Sequence, residues 1–195
     1  MQDALKIKNL SKIYHDLNGE TLAIDNLSID VHEKEIIAIV GPSGCGKSTL
    51  LGILAGLIKQ SSGEIILNGK KRLGFMLQTD SLYPWRTILE NALLGLEIQK
   101  KINKENIDKV NALLKKYGLD EFKDKYPDSL SGGMRQRVAL IRTLAMNPDI
   151  LLLDEPYSAL DYQTRLSLSN DLYKIIKEEG KTAIMITHDI AEAIY

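Results

Sequence analysis

The sequence predicts a mixed α/β fold. A core of buried parallel strands carries an antiparallel β subdomain and is interrupted by an all-helical subdomain at 86–133. Three observations predict it. Apolar and polar residues alternate between Leu5 and Val31, as on a sheet with one face in water. The runs Ile36–Val40 and Ile150–Leu153 are apolar throughout, as in parallel strands covered on both faces. From Thr87 to Leu144 apolar residues return at the three- and four-residue spacing of helices.

In chain order, Leu5, Ile7 and Leu10 separated by Lys6 and Lys8 predict a first strand, and Leu27, Ile29 and Val31 a second, with Asn18-Gly19 as a turn. Ile36–Val40 follows as a buried strand, then a helix over Lys47–Leu57 that Ser61-Ser62-Gly63 closes. Glu64–Leu67 and Leu73–Leu77, joined through Asn68-Gly69, read as a hairpin. One helical stripe comprises Ile88, Ala92, Leu93 and Leu96; a second comprises Ile107, Val110, Leu113 and Leu114, ended by Gly118. A third helix is predicted from Ser131 to Met146, before Asn147-Pro148. Ile150–Leu153, a helix over Arg165–Lys177 and a strand at Ala183–Ile186 complete the pattern.

Composition narrows the function. With 195 residues and 44% apolar content the chain can bury a core, and its net charge of −1 gives no footprint for nucleic acid. A single cysteine permits no internal disulfide and suits a reducing compartment. No apolar signal core follows Met1, and no run approaches the ~20 residues of a membrane span. Any work at a membrane is therefore expected from its cytoplasmic face, through a partner.

The chemistry is carried by three strings in a fixed order. Gly41-Pro-Ser-Gly-Cys-Gly-Lys-Ser, between a buried strand and a helix, fits the phosphate-binding P-loop. Gly41, Gly44 and Gly46 would admit positive φ, so that backbone N–H groups from Ser43 through Thr49, Cys45 included, close on phosphate oxygens. Lys47 would reach the β- and γ-phosphates, Ser48 a Mg²⁺ ion and Thr49 the α-phosphate. In the second string, Ile150–Pro156, Asp154 ends a buried strand and suits a metal contact, while Glu155 suits a base for an attacking water. Between these lies Leu130-Ser-Gly-Gly-Met-Arg-Gln-Arg137, where Ser131, Gly132 and Gly133 open a helix as a second phosphate cradle. Ser131 is also an ordinary N-cap. One nucleotide does not need two cradles, so the second is read as serving the nucleotide of a neighbouring copy.

With these strings in this order the chain resembles the ATP-binding cassette (ABC) ATPases over nearly its whole length. The resemblance implies a P-loop NTPase, RecA-like core over 1–85 and 134–195, with its antiparallel β subdomain, and a helical signature subdomain at 86–133, all one domain over 1–195. It implies that Gln78 contacts Mg²⁺ and water, that His188 senses the γ-phosphate, that Ser158–Asp161 crosses a dimer interface and that Tyr14 stacks on adenine. Tyr14 could instead be a half-buried strand residue, and Asp161 an N-cap, although stacking is the favoured reading of Tyr14. ATP and Mg²⁺ are the implied cofactors, and a second copy of the chain, head to tail, the implied partner. Thr79–Thr87 corresponds to the region that docks on a membrane permease, with Leu82–Arg86 as the contact, although Leu82, Tyr83 and Trp85 could instead pack the helical lobe onto the core.

The string Ser81–Glu97 is similar to the nitrate, sulfonate, taurine and pyrimidine-precursor importers. That implies an import ATPase working with permease subunits and, indirectly, an extracytoplasmic solute-binding protein. The alternatives are an ABC ATPase not tied to a permease and an inactive fragment. The chain departs from the family in ending seven residues after His188 and in a short Asn68–Leu73 connection, so a C-terminally short cassette is expected.

Overall fold

In the computed structural model, residues 2–17, 19–157 and 162–189 are described. Two sheets organise them. The first is antiparallel, with β1 (Asp3–Asp16) between β2 (Gly19–His32) and β4 (Ser62–Leu67). The second is parallel, in the order β3 (Ile36–Val40), β7 (Thr182–Thr187), β6 (Ile150–Asp154), β5 (Leu73–Met76). The helices are α1 (Lys47–Leu54), α2 (Ile88–Ile98), α3 (Lys104–Lys116), α4 (Gly132–Ala145) and α5 (Tyr162–Glu178).

The period-two rule explains why the parallel strands are apolar throughout. Ile150 and Leu152 of β6, with Ile184 and Ile186 of β7, face a cluster made with Leu5, Ile7, Leu10, Leu50 and Leu51 from the antiparallel sheet and α1. Leu151, Leu153, Ala183 and Met185 face the other way, against Leu140 and Leu144 of α4 and Leu168, Leu172 and Ile176 of α5. Strand β3 also touches both clusters but lies at the sheet edge among the described strands, so its residues are only half-buried and Val40 is exposed.

A third cluster belongs to the helices: Ile88, Ala92 and Leu96 of α2, Val110 and Leu114 of α3, and Val138 and Ile141 of α4. Helix α2 starts on a capping box in which Thr87 and Glu90 exchange hydrogen bonds. Helix α4 is shared: Val138 and Ile141 face the helical cluster while Leu140 and Leu144 face the sheet.

Two expectations are corrected. The segments 64–67 and 73–77 form no hairpin: β4 pairs antiparallel with β1, and β5 pairs parallel with β6. Asn68 is held to β1 by bonds to the carbonyls of Asp3 and Ala4, and Gly69 at φ 75° turns the chain from one sheet to the other. Each strand pairs with a partner far from it in sequence, not with its neighbour. Helix α1 stops at Leu54 instead of Leu57, because Gly56 takes φ 74°. The predicted turn residue Asn18, the interface loop Ser158–Asp161 and the terminal stretch Ile190–Tyr195 lie outside the described residues.

Candidate nucleotide site

The phosphate loop runs from the end of β3 to the start of α1. Gly44 and Gly46 have φ 80° and 94°, the left-handed region, as the motif requires. Gly46 is doubly constrained: a Cβ there would lie 2.2 Å from the Ala23 carbonyl oxygen of β2. Gly41 departs from the expectation. It does not take positive φ; what it supplies is space, since a Cβ would lie 2.8 Å from Cys45 Sγ. Gly46 is the N-cap of α1 and has no side chain to cap with, so the first N–H groups of the helix stay open to an anion.

Lys47 is buried at 8% exposure, and its ammonium donates to the Gly41 and Pro42 carbonyls at 2.7 and 2.8 Å. Ser48 Oγ donates to Asp154 Oδ1 at 3.2 Å, which joins the first string of the sequence to the second. Burial raises the pKa of Asp154 from its ordinary value; the Ser48 hydrogen bond opposes this and the charge of Glu155 adds to it. A cation beside Asp154 would relieve that cost.

Glu155 leaves β6 at φ 42°, with its N–H bonded to the Ile186 carbonyl of β7. Glu155 Oε2 accepts from Gln78 Nε2 and faces His188 Nδ1, each at 3.3 Å. Tyr14 is 39% exposed, with its hydroxyl 3.4 Å from Thr49 Oγ1 and Lys12 4.8 Å from its ring centre.

Tyr14, Ser43, Gly44, Gly46, Lys47, Ser48, Thr49, Gln78 and Glu155 line one open cleft of about 420 Å³. A cavity of about 490 Å³ lies between α3, α4 and α5, where Lys116 pairs with Glu178 and Arg137 with Asp171, but no residue of the phosphate loop and neither strand-end carboxylate lines it. The smaller cleft therefore carries the chemistry.

Ser131, Gly132 and Gly133 do not line that cleft. Ser131 Oγ accepts from the Met134 N–H as an N-cap. Gly133 has a packing reason of its own, since a Cβ there would lie 2.6 Å from Leu168 Cδ1 of α5. Gly133 is thus explained in part without a ligand.

The segment after Gln78 divides. Leu82 packs into the helical cluster, whereas Tyr83 and Trp85 are 40% and 69% exposed and stack at 4.9 Å. Sequence reading missed the residues that hold this segment. Fully buried Asn91 accepts from the Tyr83 N–H and donates to the Tyr83 and Arg86 carbonyls. From α4, Gln136 donates to the Gln78 carbonyl, Arg135 to the Asp80 carboxylate, and Arg142 to the Asp80 and Ser81 carbonyls. Desolvation pulls the Arg142 pKa down, the mark of a cation drawn inside to clamp backbone. Asn91, Gln136 and Arg142 fit the helical periodicity as polar positions, and only their inward direction marks them.

Fold and cleft define a P-loop nucleotide-binding protein whose parallel-sheet core is interrupted by a helical lobe. The family model described as ABC transporter matches residues 24–158. An uncharacterized ABC transporter ATP-binding protein of Bacillus subtilis, YtlC, is 47% identical over 196 residues, spanning 97% of this chain and 75% of its own. The aliphatic sulfonates import ATP-binding protein SsuB of Bacillus cereus is 41% identical over 197 residues, spanning 98% and 77%. Among solved structures, the dimeric structure of a bacterial ABC transporter cassette superposes with a TM-score of 0.79 at 36% identity, covering 97% of this chain and 90% of that one. The chain belongs to the ABC transporter family, as an ATP-binding ATPase cassette.

Proposed function

We propose that this chain is the energy-coupling subunit of an importer for a small solute, working at the cytoplasmic face of a membrane through ATP-dependent, head-to-tail pairing of two copies. The observation that carries the reading is the convergence of Lys47, Ser48, Asp154, Glu155, Gln78 and His188 about one cleft. Its relatives named for aliphatic sulfonate and taurine import support the direction of transport. No helix among the described residues is long and apolar enough to cross a membrane; in this reading a partner supplies the pore.

In this reading the N–H groups at the start of α1 and the Lys47 ammonium hold the phosphates. Glu155 accepts the proton of the attacking water, with its carboxylate oriented by Gln78 and His188. Ser48, Asp154 and the amide oxygen of Gln78 are hard oxygen donors that fit Mg²⁺, an ion that takes few protein ligands and completes its shell with water and phosphate. When bound, Mg²⁺ would neutralise charge developing on the phosphates. Tyr14 offers a ring for adenine at the rim.

Ser131, Gly132 and Gly133, set apart from the chain's own cleft, cap the nucleotide of the second copy. The division into a core of 1–85 and 134–195 and a helical lobe of 86–133 lets the lobe move as the copies close. The exposed Tyr83 and Trp85, within Leu82–Arg86, dock on a permease subunit, which a solute-binding protein loads from outside. Because α4 holds Asp80 and Ser81 while Gln78 touches Glu155, the docking segment and the base share one support.

The test uses Glu155→Gln. We expect it to bind ATP, to release phosphate at least ~100-fold more slowly than wild type, and to pass from monomer to dimer in MgATP on light scattering. Adding Ser131→Arg should leave ATP binding intact and abolish the dimer. Steady phosphate release by Glu155→Gln, or dimers that survive Ser131→Arg, would refute the reading.

A further inference from the structure

We infer that Arg165 is a positioning residue for the hydrolytic site: its guanidinium, bonded to Nε2 of His188, fixes the imidazole as the Nδ1–H tautomer and aims that proton at Glu155. The inference rests on Glu155 being the base proposed above, but its first readout does not.

Arg165 lies in the first turn of α5, and His188 is the residue after β7. The fold brings these distant elements together so that Arg165 Nη1 lies 3.2 Å from His188 Nε2. An arginine stays charged in proteins and has hydrogens to donate but no lone pair to offer. The contact is therefore a hydrogen bond only if Nε2 presents its lone pair. A neutral imidazole carries one ring proton, which is then on Nδ1. Nδ1 is the atom 3.3 Å from Glu155 Oε2. One direction of donation thus runs from Arg165 to His188 to Glu155, and Gln78 Nε2 donates to the same carboxylate oxygen from the other side.

The surroundings hold this relay in place. The Arg165 side chain is 15% exposed, and the Asp189 carboxylate lies 3.9 Å from it as a counter-charge. Thr187, 1% exposed, accepts from the Asp189 N–H through its hydroxyl and so fixes the turn on which His188 sits. An unconstrained imidazole in water prefers its proton on Nε2. The tautomer that serves Glu155 is the disfavoured one, and a donor at Nε2 is the means of selecting it. His188 in the opposite tautomer would set a lone pair against the carboxylate, and the carboxylate would lose one of the two side-chain supports it has among the described residues.

The sequence contains only three histidines, so the tautomer can be read directly by two-bond ¹H–¹⁵N correlation on protein labelled at its imidazoles, with His188→Gln giving the assignment. Spectra are recorded near pH ~8, above the ordinary histidine range. The wild-type ring should show the Nδ1–H pattern. Arg165→Met, which keeps the length and removes the donor, should return it to the Nε2–H pattern. Arg165→Lys, which restores a donor, should restore Nδ1–H. In steady state, Arg165→Met should lower kcat for ATP hydrolysis roughly 10- to 100-fold with little change in KM, and Arg165→Lys should regain part of the loss.

A wild-type His188 in the Nε2–H form would overturn the inference, and this measurement needs no variant to fold. So would an Nδ1–H pattern that survives Arg165→Met. If Glu155→Gln continued to turn over ATP, the base assignment would fall, while the tautomer, measured without nucleotide, would still decide the role of Arg165.

Discussion

Glu155 holds its backbone at φ 42°, a conformation that L-residues other than Asn and Asp visit at a cost. The strain has a purpose: the turn hands the Glu155 carboxylate to Gln78 and His188. It also makes a prediction that inverts the usual ranking. Glu155→Ala and Glu155→Gly lose the same hydrogen bonds, yet glycine escapes the Cβ clash. Glu155→Gly should therefore be the more stable by about 1 kcal/mol, or roughly 2–4 °C in Tm for a chain of this size. An equal or higher Tm for the alanine variant would show that the backbone there is relaxed. At this scale the sequence was readable wherever a motif fixes spacing. Lys47, Ser48, Asp154 and Glu155 were identified from two strings, and Ser48 does meet Asp154. Arg165 was not, because an arginine on an amphipathic helix has the pattern of any exposed charge.

Helix α4 is the element on which the two halves of the protein meet. It opens at the N-cap Ser131, buries one stripe in the helical cluster and another against the sheet, and holds the segment after Gln78 by Arg135, Gln136 and Arg142. Its first turn approaches α5 closely at Gly133, where a methyl group would crowd Leu168. Gly133→Ala should cost about 1–2 kcal/mol despite the better helix propensity of alanine. Combined with Leu168→Ala, the same change should become neutral or stabilising. A double-mutant cycle by denaturant unfolding checks this, and a coupling near zero would mean that the helices do not touch there. Periodicity predicted α4 to within a residue at each end, but it also predicted a hairpin between β4 and β5 that does not form. Local spacing reports that a segment is extended; it does not report the strand with which it pairs.

Across the whole molecule, the helical lobe is tied to the core at a second place. Tyr117, at the end of α3, donates from its hydroxyl to Glu179 at 2.7 Å, and Lys116 donates to the same carboxylate at 2.8 Å. Burial pushes the Tyr117 pKa up to about 12, and the bond to Glu179 adds to the rise. Burial pushes Glu179 upward too, but the hydrogen bonds from Lys116 and Tyr117 outweigh it and hold the carboxyl below its ordinary value. A carboxylate so depressed stabilises the fold at every pH above its unfolded value of 4.5 and ceases to as acid protonates it. Tyr117→Phe should therefore lower Tm at neutral pH by roughly 2–4 °C, the shift that about 1 kcal/mol produces. The difference from wild type should shrink as the pH falls below 4.5. A difference that persisted unchanged into acid would assign the loss to packing and not to the charged bond.

The sequence by itself determined the layer pattern, the phosphate loop, the strand-end carboxylates and the family, because each depends on residue type at short and fixed separations. Tertiary structure alone decided which strand β4 joins, why Gly41 and Gly133 are glycines, and which distant side chains hold Gln78, His188 and the Tyr83–Trp85 pair. Those outcomes depend on the direction in which a side chain leaves its element and on what the fold places opposite it, and neither is encoded in the spacing of a linear pattern.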